Sequence, residues 1–315
     1  MKARQTAVAL LALALAACTN ENEEQLIPEG PVAAQVTASI ENTLTKASDN
    51  GWAPGDKIGI FTVNTTGSDG SFTPATHYVN APYAYNGQKF EARDEKNTIY
   101  FQDTEEVEFN AYYPYQEQLG TDGLIEFSTD EVAQQDLSKI DFMFATGATA
   151  SKKNPEIQFV DNSQSGGGDH SFHHCMTQIK FTFKEGDDVD FDQLISCRLE
   201  GLYLSGTFNT QDGTTSYDDT NSASLTLPLS ATTKADERTA KPILLFPKQN
   251  TSDITIKVEL GQQTYYATLD KSITDLQPGV CYTVNVRVTK TGLEIGGAYI
   301  SSWKTVSGKD IDVTL

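Results

Sequence analysis

Apolar and polar residues alternate with a period of two in short runs along most of this chain. Clusters of Gly, Pro, Asn and Asp, which favour turns, separate the runs. A period of two sends successive side chains to opposite faces of a strand, so each run predicts a strand with one buried face. The clearest runs begin at Val36, Ile58, Val107, Ile179, Ile254 and Tyr282. This pattern predicts an all-β protein built of β-sandwiches.

Two segments interrupt the strand pattern. Residues 129–140 are the best candidate for a short helix, and the loop 162–169 (NSQSGGGD) is the clearest flexible break in the middle of the chain. The strand pattern resumes directly after that loop. We therefore expect an N-terminal β-sandwich domain over residues 32–180 and a C-terminal β-sandwich domain over residues 181–315.

The first 31 residues have a different character and predict an exported lipoprotein. An uncharged run, 7–17, is too short to span a bilayer as a helix. It ends at Ala17, and residues 15–18, Leu-Ala-Ala-Cys, resemble the lipobox of bacterial lipoproteins. We expect residues 1–17 to be a lipoprotein signal peptide, Cys18 to be lipidated, and residues 18–31 to form a flexible acidic tether. The alternative is an ordinary secretory signal that contains a cysteine.

The acidic residues directly after Cys18 resemble the signal that exports some Bacteroidetes lipoproteins to the outer face of the outer membrane. This resemblance implies an outer-membrane lipoprotein at the cell surface. The whole chain is acidic, with 23 Lys and Arg against 43 Asp and Glu and a net charge of −20. Such a surface repels phosphate backbones, so we expect no nucleic-acid partner.

Residue types that carry chemistry are few and poorly placed for a reaction. His170, His173, His174 and Cys175 lie together in the segment HSFHHC. Adjacent residues of a strand point to opposite faces, so His173 and His174 could not both bind one metal ion. No nucleophile elbow, P-loop or dinucleotide fingerprint occurs. We expect no metal, no cofactor and no enzymatic activity.

Three cysteines remain if Cys18 is lipidated, namely Cys175, Cys197 and Cys281. Their number and spacing match neither a disulfide framework nor a zinc site. Each lies in or beside a strand-like run, which favours buried free thiols that pack as small apolar residues. A single disulfide between two of them is the alternative.

Six segments, in this order along the chain, resemble those of the fimbrillin-like proteins of Bacteroidetes, the subunits of type V pili. They are 52–61 (WAPGDKIGIF), 109–115 (FNAYYPY), 141–145 (DFMFA), 172–181 (FHHCMTQIKF), 244–247 (LLFP) and 300–303 (ISSW). The large aromatic residues in them, Trp52, Tyr112, Tyr113 and Trp303, also have a plain interpretation as core residues. Together with the lipobox, the resemblance extends over nearly the whole chain.

The resemblance implies two transthyretin-like β-sandwich domains in tandem and assembly into a fimbria by donor-strand exchange. In that family a trypsin-like protease, specific for Arg or Lys, cuts a loop after the first strand or strands of the N-terminal domain, and a C-terminal segment of the next fimbrial subunit fills the groove left behind. The implied partners are those subunits, the protease, the outer membrane and a host or bacterial receptor. The implied role is a structural subunit that supports cell adhesion.

Two places in the sequence fit this scheme. Lys46 is the only Lys or Arg between Cys18 and Trp52, so a cut between Lys46 and Ala47 would release the candidate strand 32–40. Arginine often holds this position in the family, and an ordinary surface lysine is the alternative. Near the C-terminus Ile311, Val313 and Leu315 share one face and form a candidate donor strand, or else an edge strand of their own domain.

A second function remains open on the sequence alone. The protein could be a surface-exposed, lipid-anchored module that binds a glycan or a protein and does not polymerise. Four tyrosines are candidates for its contact surface: Tyr83, Tyr85, Tyr265 and Tyr266.

Overall fold

The computed structural model describes residues 27–41, 51–63, 75–186, 189–269 and 273–302. Their secondary structure consists of strands and short 3-10 helices, which confirms the all-β prediction. The predicted lipidation, processing and donor-strand residues lie outside the described residues: Cys18, Lys46, Ala47, Ile311, Val313 and Leu315. None of the helices within the described ranges is long and apolar enough to cross a membrane.

The first half of the described chain contains eleven strands. They are β1 (Val32–Ala33), β2 (Gln35–Ala38), β3 (Lys57–Thr62), β4 (Ala81–Tyr85), β5 (Phe90–Ala92), β6 (Tyr100–Phe101), β7 (Val107–Tyr113), β8 (Leu124–Ser128), β9 (Met143–Ala150), β10 (Glu156–Phe159) and β11 (His173–His174). Eight of them form one sheet in the order β10-β2-β5-β4-β3-β7-β9-β11, while β1 pairs with β6. The inward side chains of this sheet pack into a single apolar core that we call the first core.

The second half contains twelve strands. They are β12 (Thr177–Glu185), β13 (Leu194–Leu202), β14 (Ser205–Asn209), β15 (Thr215–Tyr217), β16 (Ala223–Thr226), β17 (Leu229–Ala231), β18 (Glu237–Ala240), β19 (Ile243–Leu245), β20 (Thr255–Leu260), β21 (Gln263–Thr268), β22 (Val280–Thr289) and β23 (Gly292–Ser302). A six-stranded sheet, β17-β18-β12-β22-β23 with β19 beside β12, faces a four-stranded sheet, β16-β13-β20-β21. Both sheets bury side chains in a second core, so this half is a β-sandwich.

The two halves meet before the boundary expected at residues 180 and 181. That boundary falls inside β12, all of which pairs with strands of the second half. Phe172 still packs in the first core, whereas Ile179 packs in the second. The chain therefore passes from one half to the other between Phe172 and Thr177.

The short helical segments are all of the 3-10 type. They are Glu95–Asn97, Thr121–Gly123, Ala133–Gln135, Leu137–Lys139, Ser163–Ser165, Phe191–Gln193 and Thr251–Asp253. The single helix expected over residues 129–140 is thus two separate turns. The break is at Asp136, whose backbone is not helical, with φ −138° and ψ 86°. In the first turn the side-chain amide of Gln134 bonds the backbone of Leu244 in the other half, with Nε2 2.6 Å from the carbonyl oxygen and Oε1 3.0 Å from the amide nitrogen.

The halves also share a small sheet and an aromatic cluster. β8 lies between β7 and β9 in sequence, yet it pairs with β14 of the second half, and β14 pairs with β15. Beneath this sheet Phe142 stacks on Phe208 with ring centroids 4.5 Å apart. Tyr112 and Phe246 complete the cluster from the two sides. Strands and aromatic side chains from both halves therefore build the junction between them.

Candidate functional site

The candidate site is the N-terminal segment, residues 32–41, together with the groove that it fills in the first half. Its strand β2 lies between β5 and β10 in the eight-stranded sheet. Toward β10 it pairs in parallel over four residues, from Gln35 opposite Glu156 to Ala38 opposite Phe159. Toward β5 the pairing is reduced to a single residue pair, Val36 and Phe90.

Main-chain hydrogen bonds hold the N-terminal segment along its whole length. Its amide groups at positions 34, 35, 39 and 41 donate to carbonyl oxygens of residues 99, 155, 159 and 172, over 2.8 to 2.9 Å. In return the Phe172 amide donates to the Ser39 carbonyl oxygen over 2.9 Å. These bonds do not depend on side-chain identity, so another extended segment could make them in the same groove.

The side chains of the segment contribute little burial by comparison. Val36 is the one residue of β2 that is fully buried, at 1% exposure. Ala34, Ala38 and Ile40 lie on the same face of the segment as Val36, at a period of two, and are only partly buried against the first core. The groove itself is strongly apolar, with walls formed by the buried residues Phe90, Phe101, Ile157, Phe159 and Phe172.

Trp52 closes the groove beside the end of β2. Its Nε1 donates to the Ala38 carbonyl oxygen over 3.0 Å. Its ring makes edge contacts with Phe90, Tyr113 and Phe172, with centroids 5.0 to 5.4 Å apart. The first aromatic residue of the segment 52–61 is thus part of the groove, and it touches both the wall and the strand that fills it.

The rest of the segment 52–61 builds the turn that places Trp52. The Asp56 carboxylate accepts from the Ala53 amide over 2.7 Å and from the Tyr113 hydroxyl over 3.3 Å. Burial and the nearby carboxylates of Asp56 and Asp141 raise the pKa of Tyr113 above its ordinary range, so this hydroxyl stays protonated and donates. Gly59 lies directly against the Tyr112 ring, and a Cβ atom there would collide with it.

The two adjacent histidines of β11 contact different carboxylates. His173 Nδ1 lies 2.8 Å from Glu41 Oε2 at the end of the N-terminal segment, and its Nε2 lies 3.4 Å from Asp169. The hydrogen bond that His173 donates to the Glu41 carboxylate is the main cause that raises the pKa of His173, and burial opposes it. His174 Nδ1 lies 2.8 Å from Asp141 instead. Within the described ranges no three His, Cys, Asp or Glu side chains are grouped so that they could hold a metal ion.

A cavity of about 280 Å³ adjoins this end of the segment, between the two halves. Trp52, Tyr113 and Leu244 line it together with the carboxylates of Glu41 and Asp141. These carboxylates are already engaged with His173 and His174. Neither pair could be recognised in the sequence, because Glu41 and His173 are 132 positions apart and Asp141 and His174 are 33 positions apart.

The tyrosines considered as a binding surface do not come together. Tyr83 is buried in β4, where burial raises its pKa to about 12, and Tyr85 in the same strand is partly buried. Tyr265 and Tyr266 belong to β21 of the second half. Tyr266 is exposed, whereas the Tyr265 hydroxyl donates to the Lys290 carbonyl oxygen over 3.1 Å.

Within the described residues Cys175 and Cys197 are thiols outside any disulfide, and the Cys281 Sγ lies 3.2 Å from Gln178 Oε1. Cys197 and Cys281 are buried, and Cys175 is partly buried. Burial raises the pKa of Cys197 to about 12 and also raises that of Cys175. Both groups are therefore thiols rather than reactive thiolates at neutral pH.

The family profile described as fimbrillin-like matches residues 45–303, which is most of the chain. This protein belongs to the fimbrillin-like family. The resemblance drawn from the six sequence segments is thereby confirmed. A curated relative of this fimbrillin-like protein is Fim1C of Bacteroides uniformis, named as a candidate fimbrium subunit, which is 32% identical over 209 residues. That match spans 65% of this chain and 62% of the relative.

Solved structures share the fold of this fimbrillin-like protein. A candidate cell adhesion protein from Bacteroides uniformis superposes with a TM-score of 0.65 at 22% identity, over 88% of this chain and 100% of that one. A candidate cell adhesion protein from Bacteroides ovatus gives 0.65 at 24% identity, over 88% and 98%. A fimbrial protein from Bacteroides vulgatus gives 0.53 at 15% identity, over 86% and 99%.

Proposed function

We propose that this protein is a structural subunit of a surface fimbria that supports cell adhesion and is assembled by strand release and donor-strand exchange. It is exported as an outer-membrane lipoprotein anchored at Cys18, and a trypsin-like protease cuts it between Lys46 and Ala47. The observation that carries the proposal is the N-terminal segment, which fills an apolar groove mainly through main-chain hydrogen bonds and one buried side chain. Membership of the family and the names of the relatives support it.

Cleavage would remove the covalent link that keeps the segment near its groove, without changing the contacts that the segment makes there. In the intact chain the segment is tethered, which corresponds to an effective concentration of roughly millimolar or more. After a cut at Lys46 the segment stays in the groove only as long as its own affinity for the groove retains it. Burial of Val36 contributes about 1.5–3 kcal/mol and each main-chain hydrogen bond about 0.5–1.5 kcal/mol, and the ordering of a free chain opposes both. Such a segment can leave and be replaced.

The candidate donor strand offers larger side chains at the same period. Ile311, Val313 and Leu315 would stand where Ala34, Val36 and Ala38 stand now. Larger aliphatic side chains bury more apolar surface in the same groove, which favours the incoming strand over the departing one. The partners of this reaction are further fimbrial subunits, either copies of this chain or related ones.

The rival function, a lipid-anchored module that binds a glycan or a protein and does not polymerise, has less support. Its candidate tyrosines lie on different sheets, and Tyr83 is inside the core. No group of them forms an exposed aromatic platform in the described part of the chain.

The proposal is tested by intact mass and N-terminal sequencing of protein taken from native cell surfaces. We expect a mature chain that begins at Ala47 and oligomers that appear only after cleavage. Lys46→Gln should abolish both, whereas Lys96→Gln, on an exposed 3-10 helix, should leave both unchanged. A mature chain that keeps acylated Cys18 and stays monomeric after cleavage would instead indicate the anchored binding module.

A further inference from the structure

The end of the N-terminal segment carries the one ionisable residue of positions 32–41, Glu41. Its amide donates to the Phe172 carbonyl oxygen over 2.8 Å, and its carboxylate Oε2 lies 2.8 Å from His173 Nδ1. The Glu41 side chain is mostly buried, at 17% exposure, while His173 is about half exposed. The charged contact therefore lies beside the backbone pairing that holds the end of the segment.

The two partners of this contact would separate if the segment left. Glu41 lies before Lys46 and would leave with the released fragment. His173 belongs to β11, which pairs with β9 through Phe144 and Met143 and stays with the first half. The other carboxylates that face His173, Asp169 and Asp161, stay with it.

We propose that His173 is a positioning residue that retains the N-terminal segment through Glu41 and makes release of the segment depend on pH. This inference rests on the proposed function, because it assigns a control to the strand that is released there. The dependence comes from the imidazole, which forms an ion pair with Glu41 only when it is protonated.

The direction of the effect follows from the two states. With the segment in place, Glu41 raises the pKa of His173; after release that contribution is gone, whereas those of Asp169 and Asp161 remain. Protonation thus favours the retained state. Its contribution is complete below the pKa that His173 has after release and fades as the pH rises through the higher pKa that it has with the segment in place. Release is slower at mildly acidic pH and faster at mildly alkaline pH.

The neighbouring pair should not change this direction. His174 contacts Asp141, and both residues stay with the body of the protein in either state. Release of the segment therefore does not separate this pair.

The experiment uses the full chain with Cys18→Ala, to prevent acylation, and with a site for a specific protease inserted after Lys46. After complete cleavage, confirmed by mass, departure of the N-terminal fragment is followed by native mass spectrometry between pH 5.5 and pH 8.5 at constant ionic strength. We expect departure about three to five times faster at pH 8.5, the range that a partly exposed ion pair supports. His173→Gln and Glu41→Gln should remove the pH dependence, whereas Asp169→Asn should keep it.

A second readout observes the contact directly in the uncut protein. The pKa of His173, measured from its imidazole resonances, should lie above the ordinary value and fall in Glu41→Gln. A fragment that departs equally fast at every pH, or a His173 pKa that Glu41→Gln leaves unchanged, would overturn the role of His173 and leave strand release standing. A fragment that stays bound at every pH after confirmed cleavage would overturn strand release itself.

Discussion

β2 and β12 occupy similar places in the two halves of the molecule but are held very differently. Each comes early in its half, and each pairs in parallel with a later strand of that half, β10 or β22. β2 has four residues, one of them buried, and four register pairs with β10. β12 has nine residues, four of them buried, eight register pairs with β22, and further pairs with β18 and β19.

This difference is the reason why we expect β2 to be exchangeable and β12 to be permanent. Parallel pairing alone does not decide it, since both strands pair in parallel. The decisive quantity is the apolar surface that the strand itself buries, at about 25 cal/mol per Å². β12 inserts Ile179, Phe181 and Phe183 into the second core, whereas β2 inserts Val36 into the first. Release of β2 therefore leaves most of its core in place.

The largest effect should come from truncation of a side chain of β12. Phe181→Ala removes a fully buried ring from the centre of the second core, and we expect a loss of about 3–5 kcal/mol in the free energy of unfolding. Urea unfolding followed by circular dichroism measures it. The control is Lys180→Ala, a partly exposed neighbour on the opposite face of the same strand. A loss below about 1 kcal/mol for Phe181→Ala would remove the contrast between the strands.

Hydrogen exchange in the intact protein should sharpen the comparison without any substitution. Amides of the N-terminal segment should open when the segment does, while those of β12 should open only when the second core opens. We expect the Ser39 amide, bonded to Phe159, to exchange about 100-fold faster than the Phe181 and Phe183 amides. Exchange followed by mass spectrometry at peptide resolution measures this ratio. Equal protection of the two strands would indicate that β2 is as firmly held as β12.

The sequence predicted which segments form strands better than it predicted which strands pair with each other. Alternation identified β3, β7, β12, β20 and β22, because the period of two is a local property of the sequence. In β3 burial goes further than alternation predicts, since residues 58–62 are all buried. Pairing is not local. β8 has the same alternating character as its neighbours in sequence, yet it pairs with β14 across the junction. Likewise, the helix expected at residues 129–140 is two short turns, and Gln134 in the first of them bonds Leu244, 110 positions away.

The candidate site was predictable in part for the same reason. The strand 32–40 and Trp52 could be recognised from pattern and resemblance, because each depends on a short stretch of residues. The parallel register of β2 with β10 could not, since the two strands are about 120 positions apart. The contact between Glu41 and His173 is equally distant, and a solvated surface carries many carboxylates that could have stood beside that histidine.

The smallest of these effects should come from Val36→Ala in β2. The change removes two methyl groups from one buried side chain, and we expect a loss of about 1.5–2.5 kcal/mol in the free energy of unfolding of the intact protein. Thr37→Ala, on the exposed face of the same strand, should cost less than about 0.5 kcal/mol. Thermal and urea unfolding of both variants measure the difference.

The same pair of variants separates stability from release. After cleavage beyond Lys46, Val36→Ala should speed departure of the fragment, because Val36 is the main apolar contact between the segment and the groove. Thr37→Ala should depart at the rate of the unsubstituted protein. Departure that is equally fast in Val36→Ala and Thr37→Ala would mean that main-chain bonds alone hold the segment. The larger side chains of Ile311, Val313 and Leu315 would then give a donor strand no advantage in this groove.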